Sequence, residues 1–256
     1  MHHIRIQDLK PIFYKQSLNI YMLLKNKLKA KKGPHFKTSL LEQIVLTLFK
    51  LKYSLPDRIL ESLFKIDHVT ISRYVLRISK LVSNLNIQLS QGSFYIVDTT
   101  TIRIGKDKTA YTFSGYKHHH GLKYQCIIND QKEIVSITDG IESSIHDKHI
   151  FETQYQNIFH SLNKQMRILG DNAYVGLRTY NVQTPLRRNE LEYKQNKTIA
   201  KKSNSELSNK RVQVEHVFAH LKKYRILTNV YYYTKNKLDM FIRAICNLYN
   251  LSIKKI

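Results

Sequence analysis

Hydrophobic residues recur at helical spacing through the first third of the chain and predict a series of helices. Apolar positions over residues 9–30 are loosely helical until a Lys-Lys-Gly-Pro loop interrupts them. A second helix is predicted over 40–49, where apolar residues recur every three or four positions, with Thr38 as its cap. A third, short amphipathic segment begins at Pro56, a residue that suits the first helical turn.

Residues 55–82 are predicted to form a short helix, a tight turn and a second helix capped by Asp67 or Thr70. The inward positions of the second helix are Ile71, Tyr74, Val75 and Ile78, and the outward ones are Ser72, Arg73 and Arg77. This pattern is typical of a helix-turn-helix, whose second helix would enter a DNA major groove by its N-terminal end. An ordinary helical hairpin with a solvated basic face would show the same pattern.

The hydrophobic period changes after a polar segment at 83–93, which predicts a boundary between domains 1–92 and 93–256. Predicted strands lie at 94–97, 100–104, 121–129, 133–140 and 166–169. The third and fourth of them form a hairpin that turns at Asn129-Asp130, and a helix from His146 precedes the last strand. Strands followed by a helix, a strand and a helical C-terminal region favour a mixed α/β domain.

Composition adds a strong positive charge to this picture. The chain has 42 Lys and Arg against 19 Asp and Glu, a formal net charge of +23. Residues 1–92 carry 16 basic and 5 acidic residues and the remainder carries 26 and 14, so both predicted domains are basic. This charge favours a nucleic-acid partner. A ribosome-associated or membrane-surface protein, or a Lys-rich composition bias, would also be basic.

Cysteine usage and hydropathy point to a compartment. Cys126 and Cys246 each lie in an apolar run, which predicts buried thiols and fits a reducing cytosol. No run approaches the roughly 18 apolar residues of a membrane span, and the first ten residues lack the apolar stretch of a signal peptide. We therefore expect a soluble, cytoplasmic protein.

Two aspartates each follow a short apolar run. Asp98 comes after Tyr-Ile-Val and Asp171 after Ile-Leu-Gly. A carboxylate just past a strand lies at a sheet end, and the two would approach each other if their strands were neighbours. A metal ion would then relieve their repulsion, and Mg²⁺ binds one or two carboxylates together with substrate phosphates. Each aspartate, taken alone, is also an ordinary turn residue.

A third acidic residue, Glu215, lies in a basic helical pattern that follows a polar stretch at 194–210, which we expect to be a mobile loop. Arg211 precedes Glu215 by four residues and Lys222 follows it by seven, so that all three share one helical face. Arg211 could contact a phosphate near the metals, and Lys222 could hold DNA further along. A solvated helix with ordinary Arg–Glu pairing would show the same spacing.

Two further clusters lie between the aspartates. The triplet His118–His120 does not suit zinc, since consecutive residues do not share one face of a strand and no cysteine pair is nearby. Together with Lys117 and Lys123, it predicts a basic segment that faces DNA. His146-Asp147 at a predicted helix start indicates a cap close to the substrate.

Taken together, these motifs resemble those of the bacterial insertion-sequence transposases of the IS4/IS5 type. The resemblance rests on the order of Asp98 in VDTT, Asp171 in GDNAY and the Arg211…Glu215…Lys222 set, and it covers roughly 38–250. YTFSGYKHHHGLKYQ resembles that family's basic and aromatic segment before the second strand, and DGIESSIHDKHIF its strand exit and His-Asp helix start.

The resemblance implies an α/β fold, in which a ribonuclease-H-like catalytic domain with a mixed sheet flanked by helices follows an all-α helix-turn-helix domain. It implies that Asp98, Asp171 and Glu215 are catalytic and hold two Mg²⁺ ions, for which Mn²⁺ would substitute. One ion would activate water or a DNA 3′-hydroxyl, and the other would stabilise the departing 3′ oxygen. Endonuclease and strand-transfer reactions would use the same site.

The implied partner is double-stranded DNA, both as terminal inverted repeats and as target, and we expect association with the bacterial nucleoid when DNA is bound. Because two ends must be cut together, a homodimer on paired ends is expected. The residues predicted to bind DNA are Arg211, Lys222, Ser72, Arg73, Arg77, Lys117, His118 and Lys123.

Three functions remain open at this point. The first is an active transposase, and the second is a catalytically silent or domesticated transposase that acts as a sequence-specific DNA-binding protein. The third is a metal-dependent nuclease of the same fold without strand transfer. The three carboxylates favour the first, and the predicted helix-turn-helix argues against the third because it implies a specific terminal sequence.

Overall fold

The computed structural model of the chain describes residues 10–25, 38–105, 112–115, 118–159, 166–230 and 234–254. Contacts divide the chain into two units, of which the first combines Met1–Ile87 with Leu221–Ile256 and the second is Gln88–His220. The predicted boundary after residue 92 kept the whole C-terminal segment in the second domain. The compact units instead group that segment with the N-terminal helices.

Helices and strands alternate little along the chain. In chain order, the helices are α1 (Lys10–Lys25), α2 (Leu40–Tyr53), α3 (Asp57–Phe64), α4 (His68–Ser83), α5 (Asp147–Phe159), α6 (Leu191–Gln195), α7 (Lys197–Leu221) and α8 (Lys235–Ile253). The strands are β1 (Tyr95–Arg103), β2 (Phe113–Ser114), β3 (His119–Asn129), β4 (Ile134–Ile137), β5 (Ile141–Glu142), β6 (Ile168–Leu169) and β7 (Val182–Gln183). No helix in these ranges is long and apolar enough to cross a membrane.

Helix caps explain where α2 and α4 begin. Ser39, not the predicted Thr38, caps α2, because Ser39 and Glu42 have the spacing of a capping box, each bonding the other's backbone N–H. Asp67 caps α4 as predicted and accepts from the N–H groups of Val69 at 3.0 Å and Thr70 at 3.1 Å. The predicted inward residues of α4, namely Ile71, Tyr74, Val75 and Ile78, are all buried.

The C-terminal helix completes the first unit. Helix α8 packs against α4 and buries apolar side chains along much of its length. The Asn247 side chain donates to the carbonyls of Val82 at 2.9 Å and Ser83 at 3.2 Å, where the last turn of α4 leaves acceptors without helical partners. Residues distant in sequence therefore close one helical core.

A mixed sheet forms the second unit, so the predicted α/β character is confirmed. Among the described strands the order is β2-β3-β1-β6-β7, with β4 and β5 pairing along β3. Strands β1 and β3 are antiparallel over nine pairs, whereas β1, β6 and β7 run parallel. Val97 and Ile127 on the sheet share a buried apolar cluster with Phe151 of α5.

The segment 194–210 is helical except at Asn196, between α6 and α7, and the prediction of a mobile loop there is wrong. Helix α7 buries Ala200, Leu207 and Val214, which recur every seven residues and so lie on one face. Asn204 fixes the same helix to the preceding segment, because its side chain accepts from the Leu186 N–H at 2.8 Å and donates to the Leu186 carbonyl at 3.0 Å. The sequence signal that could have predicted this helix is a sparse row of apolar residues, one every seven positions, within a polar stretch.

Candidate active site

The two predicted aspartates lie at matching positions on neighbouring parallel strands. Strands β1 and β6 pair only at Tyr95↔Ile168 and Ile96↔Leu169. Asp98 follows Ile96 by two residues, and Asp171 follows Leu169 by two. The prediction that Asp98 lies past its own strand is wrong, since β1 continues to Arg103 beside β3. Strand β6 ends just before Asp171, so among the described strands the edge of β1 that paired with β6 is free beyond Ile96. The two carboxylates lie at this end of β6.

Short backbone contacts orient each carboxylate. Asp98 Oδ1 accepts from the Thr99 N–H at 2.7 Å. Asp171 caps a single turn of 3₁₀ helix, and its Oδ1 accepts from the Ala173 N–H at 2.8 Å. A Cβ at Gly170 would lie 2.9 Å from the Tyr174 Cβ, so a glycine is needed for this turn to fold back on the strand.

Arg211 of α7 joins the two aspartates. Its Nη2 lies 4.0 Å from Asp98 Oδ2 and 3.9 Å from Asp171 Oδ2. These distances are ion-pair separations that are too long for direct hydrogen bonds. The buried Arg211 Nε has no hydrogen-bond partner within the described ranges. The guanidinium therefore neutralises the pair while keeping a free donor.

Burial makes the Asp98 carboxyl a weaker acid than an ordinary aspartate. Loss of solvent raises the pKa of Asp98 to about 6, the Thr99 N–H and Arg211 lower it, and the charges of Asp171 and Asp147 raise it further. Buried Tyr174 lies behind the site, where burial and then the charge of Asp147 raise the pKa of its hydroxyl. The carboxylates thus concentrate negative charge in a partly desolvated place.

Glu215 stands apart from this group in the described structure. It lies on α7 four residues after Arg211, on the same helical face, but its side chain is exposed. No hydrogen bond or ion pair joins it to either aspartate in the described part of the chain. Helix α7 ends at Leu221, so the exposed Lys222 follows the helix instead of sharing its face.

The other residues predicted to bind DNA differ in how available they are. Arg73 is exposed on α4, Ser72 is half-buried, and half-buried Arg77 donates to Gln43 Oε1 of α2 at 3.2 Å. His118 is exposed and has a φ of 51° just before β3. Lys117 lies outside the described residues.

The remaining member of the predicted basic segment, Lys123, donates to Asp147 Oδ1 at 2.8 Å and to the Ile145 carbonyl at 2.7 Å. Asp147 opens α5 beside the site, close to the position that the helix-start motif predicted.

Gln125 was missed from the sequence. Its side chain donates to the Asp147 carbonyl and the Tyr174 hydroxyl, both at 3.1 Å, and the residue is 1% exposed. The sign was a glutamine in an otherwise apolar strand, two residues after Lys123. Such a residue must find partners, because a buried amide without them is costly.

The donor set at the end of β6 suits a hard divalent cation. It offers the carboxylate oxygens of Asp98 and Asp171, and the Arg211 Nη2 stays 4.0 and 3.9 Å from them, too far to occupy them by direct hydrogen bonds. A different acidic group, Glu61 with Asp67 and His68, brings its ligand atoms within 4.8 Å of one another in the described residues. That group is half-exposed at the α3–α4 turn, where Asp67 already caps α4.

The chain belongs to the DDE superfamily endonucleases, since the model of that family matches residues 97–250. It is 26% identical over 200 residues to a "Probable transposase for insertion sequence element IS702" from Microchaete diplosiphon. The aligned region covers 75% of this chain and 68% of the relative. No solved structure matches the chain. The predicted kinship with insertion-sequence DDE transposases is confirmed, and this family generally uses divalent metals.

Proposed function

We propose that this chain is a DNA transposase that binds the ends of its insertion sequence, cuts DNA strands there and joins the 3′ ends to target DNA. The observation that carries the proposal is the meeting of Asp98, Asp171 and Arg211 where β6 ends beside β1. The matched family of DDE superfamily endonucleases and the relative named as a probable transposase both support it. A homodimer on paired ends follows from the need to cut two ends together.

Asp98, Asp171 and Glu215 are the catalytic and metal-binding residues in this proposal, with Mg²⁺ as the ion and Mn²⁺ as a substitute. Two divalent ions held there would polarise the attacking oxygen and stabilise the departing one. The sheet holds the two aspartates side by side before any ligand arrives. Glu215 would reach the substrate from the exposed face of α7, one turn beyond Arg211.

Arg211 would have two tasks. Its charge already offsets the repulsion between Asp98 and Asp171. Its buried Nε–H lacks an acceptor in the residues that the structure describes, and an unpaired buried donor is costly. A DNA phosphate oxygen would satisfy it, which is the role that the sequence suggested.

The fold supports a ribonuclease-H-like catalytic domain, in which the mixed sheet positions Asp98 and Asp171 and α5 covers one face. Helices α3 and α4 would form the helix-turn-helix that reads the terminal repeats. Its contacts would be Ser72, Arg73 and Arg77, of which Arg73 is exposed. Lys117, His118 and Lys222 complete the proposed DNA-binding set, whereas Lys123, which was also predicted to bind DNA, is already bonded to Asp147 and to the Ile145 carbonyl.

The decisive test is cleavage of labelled DNA that carries the flanking ends of the chain's own gene. With Mg²⁺, we expect wild type to cut at the repeat boundary and Asp98→Asn, Asp171→Asn and Glu215→Gln to lose about a thousandfold in rate, roughly 4 kcal/mol of transition-state stabilisation. DNA binding should survive in all three. Glu206→Gln removes an exposed carboxylate from the same helix as Glu215 and should cut normally.

Other outcomes of that assay identify other functions. Specific binding without cutting in Mg²⁺ or Mn²⁺ would identify a silent or domesticated transposase that acts as a DNA-binding protein. Cutting without strand transfer or sequence preference would identify a nuclease of the same fold. Loss of binding in all three variants would make the acids structural.

A second experiment addresses α4. We expect Arg73→Ala to weaken binding to the element ends by about tenfold and binding to random DNA by less, because a base contact adds discrimination that a phosphate contact does not. Arg58→Ala removes an exposed arginine from α3 and serves as the matched control. Equal weakening on both DNAs would reduce Arg73 to a phosphate contact.

A further inference from the structure

A second, more buried polar network lies beside the acidic pair. Thr99 Oγ1 donates to Asp147 Oδ2 at 2.8 Å, and Lys123 Nζ donates to Asp147 Oδ1 at 2.8 Å. Both oxygens of Asp147 are therefore used, each by a different strand. The side chains of Lys123 and Asp147 are only 18% and 19% exposed, so the pair is shielded from solvent.

The strand register explains why these residues meet. Thr99 pairs with Gln125 and Thr101 with Lys123 across the antiparallel β1–β3 ladder. Directly paired residues point to the same side of a sheet, and so do residues two apart. Thr99, Lys123 and Gln125 thus all face α5, where Asp147 begins the helix, and Asp98 projects from the opposite face.

The Thr99 backbone connects the two faces. The N–H and C=O groups of Gln125 bond to Thr138, which lies on the side of β3 away from β1. Thr99 and Gln125 are therefore a non-hydrogen-bonded pair, and the Thr99 N–H points away from β3. It donates to Asp98 Oδ1 at 2.7 Å, on the side where β6 has already ended.

We propose that Asp147, held by Lys123, is a positioning residue for Asp98. It fixes the Thr99 side chain, and the Thr99 N–H in turn fixes the Asp98 carboxylate in the orientation that accepts a divalent cation. Partners of this kind orient metal ligands in many proteins and contribute to affinity without touching the metal. The inference rests on the proposed function, because it takes Asp98 to be a metal ligand.

The ordinary reading of the same contacts is an ion pair that ties α5 to the sheet. The two roles separate at Thr99. Without the Thr99 hydroxyl, α5 is still held by Lys123 on the Asp147 side chain and by Gln125 on the Asp147 carbonyl at 3.1 Å. Thr99→Val therefore removes the contact by which Asp147 holds residue 99, keeps the N–H that donates to Asp98, and leaves the tie between α5 and the sheet in place.

The test is thermal unfolding of the full chain, without DNA, across a Mn²⁺ titration. A ligand that binds the folded state raises the melting temperature according to its concentration and affinity. We expect Thr99→Val to raise the half-saturating Mn²⁺ concentration about tenfold. Thr99→Ser keeps the hydroxyl and should titrate close to wild type. Thr153→Val, which removes a hydroxyl from α5 away from the network, should not change the titration.

A double-variant comparison adds a second measurement. Lys123→Met should raise the half-saturating concentration as well, and Thr99→Val/Lys123→Met should raise it by less than the product of the two single effects. Both changes act through Asp147, and residues that share a partner are not additive. Fully multiplicative effects would contradict a common route through Asp147.

Two results would overturn this inference and leave the proposed function standing. One is a Thr99→Val protein with a lower melting temperature but a wild-type Mn²⁺ titration, which is the behaviour of a purely structural tie. The other is Thr99→Ser behaving like Thr99→Val. If wild type shows no Mn²⁺-dependent shift, or Asp98→Asn retains it, the proposed metal site fails first and this inference fails with it.

Discussion

The sheet end that carries Asp98 and Asp171 differs from the helix that carries Glu215, although the proposed function gives the three acids one role. The sheet aspartates are brought together by strand register, bonded to backbone N–H groups and neutralised by Arg211. Glu215 is exposed and has no partner among the described residues. One half of the proposed site is therefore held in place by the fold and the other is not.

The difference follows from how each element fixes a side chain. A strand between neighbours holds its backbone rigidly, so two residues at matching register positions must lie close together. A residue on the exposed face of a helix keeps its rotamer freedom, and ordering it costs free energy that only a ligand can offset. We expect metal or DNA to recruit Glu215 to acids that are already in place.

Divalent metal should give the largest contrast between the two regions. In the absence of DNA, Mn²⁺ at about a hundred times its dissociation constant should stabilise wild type by about 2.7 kcal/mol. Asp98→Asn should lose this stabilisation, and Glu215→Gln should keep most of it, as measured by thermal unfolding with and without Mn²⁺. An equal loss in both variants would mean that Glu215 belongs to the half held in place by the fold.

The pH dependence of stability should report the buried setting of Asp98. Its pKa is about 6 in the folded chain against an ordinary value of 3.8, so the folded state holds the proton more tightly. The contribution of Asp98 to stability is therefore fully present below about pH 4 and is lost as pH rises through about 6, by about 2 kcal/mol after discounting for partial exposure.

Asp98→Asn cannot titrate at this position. Wild type should therefore lose free energy of unfolding relative to this variant as the pH rises, and the gap between the two should widen. Urea unfolding of both proteins from about pH 4 to about pH 8 measures that gap. A gap that does not change with pH would place Asp98 in a solvated setting, like Glu215.

Neutralisation by Arg211 should give a smaller effect. Removing the guanidinium in Arg211→Gln raises the pKa of Asp98 further, so the variant should lose about 1 kcal/mol at about pH 8 and less at about pH 5. Lys210→Gln is the matched control on the same helix. The Lys210 ammonium lies 5.2 Å from the Phe94 ring centroid, a contact that should cost about 0.5 kcal/mol at either pH. Equal pH dependence in both variants would contradict the bridging role.

Local patterns predicted much of the fold. The α4 cap at Asp67, its buried residues and the β3–β4 hairpin all depend on nearest neighbours in sequence, and all were confirmed. Helix α7 was missed over 194–210 because its buried residues recur only once in seven positions among polar ones. The inclusion of α8 in the first unit could not be predicted, since its contacts with α4 join distant parts of the chain.

For the candidate site, the residue types and their order were enough to identify the family and to nominate Asp98, Asp171 and Glu215. Their arrangement depends on tertiary contacts. Strand register sets Asp98 opposite Asp171, and the long helix α7 returns Arg211 to both. The contacts that hold Thr99 and Asp147 together likewise depend on which strands pair. Pairing between distant segments is fixed by the packing of the whole chain, so no local stretch of sequence records it.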